Sequence, residues 1–147
     1  MRSRAELLAW EVGNIVQWLS HFECAPAPRV GVLRQGHTLY VDDFPLPDGY
    51  APERVDLAMK VSDYPVEPPK GLYLLAEATN GALLSRLRQR FNVFADTAFH
   101  GAPAVEGSQW ICVGYLEGWR FNPGAPHRGD NIQKMLAEFW RVLEESQ

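Results

Sequence analysis

Between Ala5 and Phe22, apolar residues recur mostly three and four positions apart: Leu7, Leu8, Trp10, Val12, Ile15, Val16, Trp18 and Leu19. That spacing predicts an amphipathic helix with one broad buried face. Ser3 and Glu6 stand as a capping box at its start. Gly13 costs a helix interior about 1 kcal/mol against alanine, and close packing on a neighbour is the expected reason for it. Cys24-Ala25-Pro26-Ala27-Pro28 then ends the helix, because proline breaks the helical ladder and restrains the residue before it.

Beyond this linker the period falls to two. Segments 29–34 and 38–41 predict strands on either side of Gln35-Gly36-His37, a hairpin turn. Val55, Leu57, Met59 and Val61 alternate strictly, as a half-buried strand does, and the proline-rich stretch 44–52 before them predicts a loop. Residues 71–75 predict a fourth strand. Within Asn80 to Phe91, Leu83, Leu84, Leu87 and Phe91 alternate with Arg86, Arg88 and Arg90, which predicts a short helix with a solvated basic face. After the turn-rich loop 120–129, Asp130 or Asn131 caps a last helix whose buried stripe is Ile132, Met135, Leu136, Phe139, Trp140 and Leu143. The expected architecture is α+β, in one domain over 1–147. An N-terminal helix packs on an antiparallel meander, the last helix joins the same core, and Trp10, Trp18, Phe139 and Trp140 are buried.

Composition removes several function classes. A chain of 147 residues suits a single core. Its net charge of −4, from 14 basic and 18 acidic residues, provides no electrostatic footprint for nucleic acid or an anionic membrane surface. No apolar run is long enough to span a bilayer, and the first residues do not read as a signal peptide. Two distant cysteines make no disulfide framework, so a cytoplasmic protein with reduced thiols is expected. His21 and Cys24 have no second pair at ligand spacing, so no metal site is expected. No phosphate-binding or dinucleotide fingerprint is present.

Two stretches carry chemistry. Tyr64-Pro65-Val66-Glu67-Pro68-Pro69-Lys70 holds three prolines within five residues, a rigid excursion outside a sheet on which the tyrosine ring can pack. Cys112 lies in Gln109 to Trp119. A lone cysteine is commonly a small buried apolar group, but Gly107, Gly114 and Gly118 around it predict irregular backbone, where functional groups are displayed.

Ile111-Cys112-x-x-x-Leu116-x-x-Trp119 resembles the active-site segment of ubiquitin-conjugating enzymes, and Tyr64-Pro65-x-x-Pro68-Pro69 resembles a second motif of that family. The order of elements is similar to the family's from Ala5 to Leu143, with the helix at 80–91 as an insertion before the active-site segment. The family's His-Pro-Asn motif is degenerate here: His100-Gly101-Ala102-Pro103 lacks the asparagine, and Asn80 is the other relic of it.

The resemblance implies that Cys112 carries a ubiquitin-like modifier as a thioester and passes it to an amine, while His100 orients the active-site loop. Thiolate suits this role, being both a good nucleophile towards acyl groups and a good leaving group. The oxyanion donor stays open between Asn80, Asn122 and a backbone N–H. His127 also lies within reach in the loop after Trp119, although a surface histidine is the commoner outcome. A thiol-hydrolase dyad of Cys112 with His100 or His127 lacks any protease signature around the cysteine. The implied partners are an activating enzyme, a ubiquitin-like modifier and a deconjugating peptidase. No cofactor is implied, because the activating enzyme consumes the ATP. The compact, divergent form resembles bacterial families, some linked to antiphage defence. The alternative is a non-catalytic variant of the fold that binds a modifier or a partner enzyme.

Overall fold

A computed structural model describes residues 3–23, 26–33, 36–69, 72–75, 81–89, 91–94, 108–112 and 118–145; the side chains at 75, 92–94, 108–110 and 112 are outside that description. The chain is α+β. Three helices, α1 (Arg4–Leu19), α2 (Gly81–Leu87) and α3 (Ile132–Glu145), accompany six strands among the described residues. These are β1 (Arg29–Leu33), β2 (Thr38–Pro45), β3 (Arg54–Lys60), β4 (Leu72–Leu75), β5 (Asn92–Phe94) and β6 (Ser108–Cys112). All pairings are antiparallel, in the order β1-β2-β3-β4-β6-β5.

The alternation in β3 does what its sequence predicts. Val55, Leu57 and Met59 face inward beside Leu39, Val41 and Phe44 of β2 and Leu72 and Leu74 of β4, all buried. Leu7, Leu8, Ile15 and Leu19 of α1, Leu83, Leu84 and Leu87 of α2, and Ile132, Met135, Leu136, Phe139 and Leu143 of α3 complete the same core. At the start of α1 the Ser3 hydroxyl accepts from the Glu6 N–H at 3.1 Å and donates to the Glu6 carboxylate at 3.2 Å. The N-cap of α3 is Asn131, whose side-chain oxygen accepts the Lys134 N–H at 2.9 Å.

Several expectations need correcting. β2 runs on to Pro45 because the pairing shifts between Val41 and Phe44, where Asp43 takes a left-handed conformation with φ of 59°. That bulge inserts one residue and returns Phe44 to the inner face, which hides the strand's end from a strict period-two reading. Gly13 has open space within 4 Å of a notional side chain, so close packing is not its reason. Trp10, Trp18 and Trp140 are half-buried, while Phe139 is buried. Indoles suit such edges because the N–H can reach a partner, as Trp140 Nε1 does by donating to the Pro45 carbonyl at 3.1 Å. Among the described residues no helix is long and apolar enough to cross a membrane.

Candidate functional site

Cys112 is the last residue of β6. That strand is not irregular, as its glycine-rich surroundings suggest, but sits between β4 and β5 with pairing on both sides. Ile111, next to the cysteine, is fully buried and pairs with Leu72 on one side and Val93 on the other. Asn92 takes the register position opposite Cys112. The side chain of Cys112, all of His100 and Asn80, and Cys24 lie outside the described residues. Gly118, the next described residue after Cys112, has a φ of 77°, which favours glycine.

The two motif stretches meet in space. Trp119 Nε1 donates to the Pro65 carbonyl at 2.9 Å, across 54 positions of sequence. Phe121 meets the Tyr64 ring edge-on at 5.3 Å and lies near-parallel to Trp119 at 6.5 Å. Tyr64, Pro68 and Pro69 are buried, whereas Val66 at the loop's tip is 86% exposed. The Tyr64–Pro65 peptide bond is cis. Arg4 holds the loop from the other side: its Nε donates to the Tyr64 carbonyl at 2.8 Å, and Nη2 donates to the carbonyls of Gly36 and Val61.

The segment from Trp119 to α3 is tied off by its own polar groups. Arg120 N–H donates to the Asp130 carboxylate at 2.7 Å, and Asp130 N–H returns to the Arg120 carbonyl at 2.9 Å. A side chain at Gly129 would fall 2.6 Å from the Arg120 carbonyl, so only glycine fits there. Asn122 accepts from the N–H groups of Gly124 and Ala125 at 3.1 Å each, committing its carbonyl oxygen to a turn. The His127 side chain is exposed, and its backbone carbonyl accepts from Lys134 Nζ at 3.1 Å.

Glu11 is the functional group that the sequence reading passed over. It is fully buried, and both carboxylate oxygens accept the N–H of Ile132, at 3.0 and 3.2 Å, on the first turn of α3. Burial dominates its titration and pushes the carboxyl up to about 7, against smaller opposing effects from the Tyr64 hydroxyl and the N–H groups of Ile132 and Gln133. Burial and the Glu11 charge together raise the Tyr64 phenol well above its ordinary value. The signal was present: Glu11 follows Leu8 by three and precedes Ile15 by four, inside the apolar stripe. Asn92 left no such signal, because only strand register brings it opposite Cys112.

A cavity of about 300 Å³ opens elsewhere, where Glu23, Leu46, Asp48, Tyr50, Glu53 and Arg54 line the β2–β3 connection. None of the described candidate site residues borders it. No known protein family matches this chain, nor does any characterised protein or solved structure.

Proposed function

We propose that this chain is a ubiquitin-conjugating-like enzyme that carries a ubiquitin-like modifier on Cys112. The observation that carries this reading is the hydrogen bond from Trp119 to Pro65, with Phe121 on Tyr64. It ties the Ile-Cys-x-x-x-Leu-x-x-Trp segment to the Tyr-Pro-x-x-Pro-Pro loop, the two stretches on which the resemblance rests. The helix, meander and terminal helix in that order add to it.

In the reaction, the Cys112 thiolate attacks the acyl carbon of a modifier held as a thioester on an activating enzyme, and that enzyme's thiolate departs. A target amine then attacks the new thioester, the C–S bond breaks, Cys112 leaves as thiolate, and the amine's proton passes to solvent or a nearby base. His100 is assigned the orientation of the active-site loop. Asn92, opposite Cys112 in register, joins Asn80, Asn122 and a backbone N–H as the source of the oxyanion donor. The turn already made by the Asn122 oxygen leaves only its amide N–H groups for that role. A reducing cytoplasm, which keeps such a cysteine as a free thiol, is the compartment that suits this chemistry. A deconjugating peptidase is the expected counterpart.

The second reading, a non-catalytic module that binds a modifier or a partner enzyme, is favoured by one observation. Cys112 ends a strand paired on both sides, a more constrained setting than a display loop. One experiment separates the two. With activating enzyme, modifier and ATP, the first reading expects an adduct that dithiothreitol removes. Cys112→Ala abolishes it, Cys24→Ala retains it, and Cys112→Ser turns it into a thiol-resistant oxyester. A wild-type protein that forms no such adduct yet binds the modifier or the activating enzyme leaves only the binding module, and a Cys112→Ala protein that still conjugates modifier overturns the role of Cys112.

A further inference from the structure

Glu11 joins three elements that are far apart in sequence: α1, on which it sits, the loop carrying Tyr64, and the first turn of α3. The Tyr64 hydroxyl faces the carboxylate and favours its ionised form, and it donates a long hydrogen bond to the Leu7 carbonyl at 3.5 Å. That separation is too great for a strong O–H···O bond, so an ionised carboxylate beside the hydroxyl, the stronger acceptor, competes for its proton. Among the described residues no cation pairs with Glu11. Arg4, the nearest on α1, faces Tyr64 and is committed to the carbonyls of Tyr64, Gly36 and Val61. Lys134 of α3 donates to the carbonyls of His127 and Gly129, and Asp130 accepts the Arg120 N–H.

We propose that the Glu11 carboxyl is a proton-operated clamp on the junction of α1, the Tyr64 loop and α3, gripping when protonated and yielding when it ionises. In the neutral form one oxygen keeps the Ile132 N–H. The carboxyl O–H donates to the Tyr64 oxygen, whose own proton turns to the Leu7 carbonyl, so every group is satisfied without charge. Loss of the proton to solvent leaves a negative charge on a fully buried group that no cation pairs with among the described residues. The N–H groups of α3 compensate in part, but opening the junction solvates the charge fully. Opening reaches Trp119, because the Pro65 carbonyl on the same loop holds its indole.

The folded carboxyl titrates near 7, above its ordinary 4.5. Its stabilising contribution is therefore complete below about pH 4.5 and is lost as pH rises through about 7. Carbon-detected titration of the Glu11 carboxyl in the full chain reads this directly, and a pH series of denaturant unfolding reads its consequence. The unfolding equilibrium constant of the wild type rises on the order of a hundredfold between pH 4.5 and 8, relative to Glu11→Gln. Above pH 7 the Ile132 amide and the Trp119 indole N–H exchange faster than base catalysis alone requires, in the wild type and not in Glu11→Gln. Tyr64→Phe removes a bond that favours the ionised form, so its titration midpoint moves to higher pH, an effect that no purely space-filling role produces. If Glu11→Gln does not fold, the direct titration and the Tyr64→Phe shift decide. A Glu11 that titrates in the ordinary carboxylate range, or a Tyr64→Phe midpoint that stays in place, overturns the clamp.

Discussion

The two ends of the α1–α3 pair are built on opposite principles. At one end the contacts are polar and directional: Arg4 on three carbonyls, Glu11 on the α3 N-terminus, and the Tyr64 hydroxyl between them. At the other end rings meet rings. Trp18 lies 5.4 Å from Phe22 and 6.1 Å from Phe44, Phe22 lies 5.3 Å from Trp140, and Phe139 touches both Phe44 and Phe91. Dispersion and burial are nearly indifferent to pH and tolerant of small displacements. A buried carboxyl is neither, since its hydrogen bonds demand geometry and its charge state follows the solvent. The aromatic end supplies cohesion, while the polar end sets where the Tyr64 loop and the Trp119 indole stand.

The largest test of this contrast truncates one ring at each end. Phe139→Ala should cost about 3–5 kcal/mol by urea denaturation, and Tyr64→Ala a comparable amount. Their reach should differ. Tyr64→Ala removes the ring against which Phe121 packs and should speed hydrogen exchange across residues 118–131. Phe139→Ala should leave the relative protection of that segment unchanged. Equal loosening of 118–131 in both variants would mean that the two ends form a single cooperative unit.

A smaller change probes a polar contact at the aromatic end. Trp140→Phe keeps most of the ring and deletes the bond to Pro45, so a loss of about 0.5–1.5 kcal/mol is expected. That loss should be constant from pH 5 to pH 8, unlike any change at Glu11. The smallest effect has the opposite sign. With open space around Gly13, Gly13→Ala should stabilise the chain by about 0.5–1 kcal/mol, read as a higher denaturation midpoint at constant slope.

Regions where one period runs without interruption were legible in the sequence. α1, α3 and β3 lie within one to three residues of their expected bounds, because each buries one face against the same core. Elsewhere tertiary contacts override a local rule. β2 continues through the bulge at Asp43, and β5 and β6 are short strands whose pairing is non-local. Glycines around Cys112 suggested irregular backbone, yet neighbours on both sides draw Ser108–Cys112 into the sheet. Of the candidate site, Cys112 is placed by its backbone and His100 lies outside the described residues.

By itself the sequence determined the class of structure and its chemical inventory. Helical and strand periods, proline stiffness and the caps at Ser3 and at Asp130 or Asn131 act within a few residues of one another, so they can be read in line. Tertiary structure alone decided which of these groups meet. The Trp119 indole reaches Pro65 across 54 positions, and Glu11 reaches Ile132 across 121. Such contacts depend on strand order and helix packing rather than on local preference. The titration of Glu11 belongs with them, since this carboxyl rises above its ordinary range because the folded chain shuts out water around it.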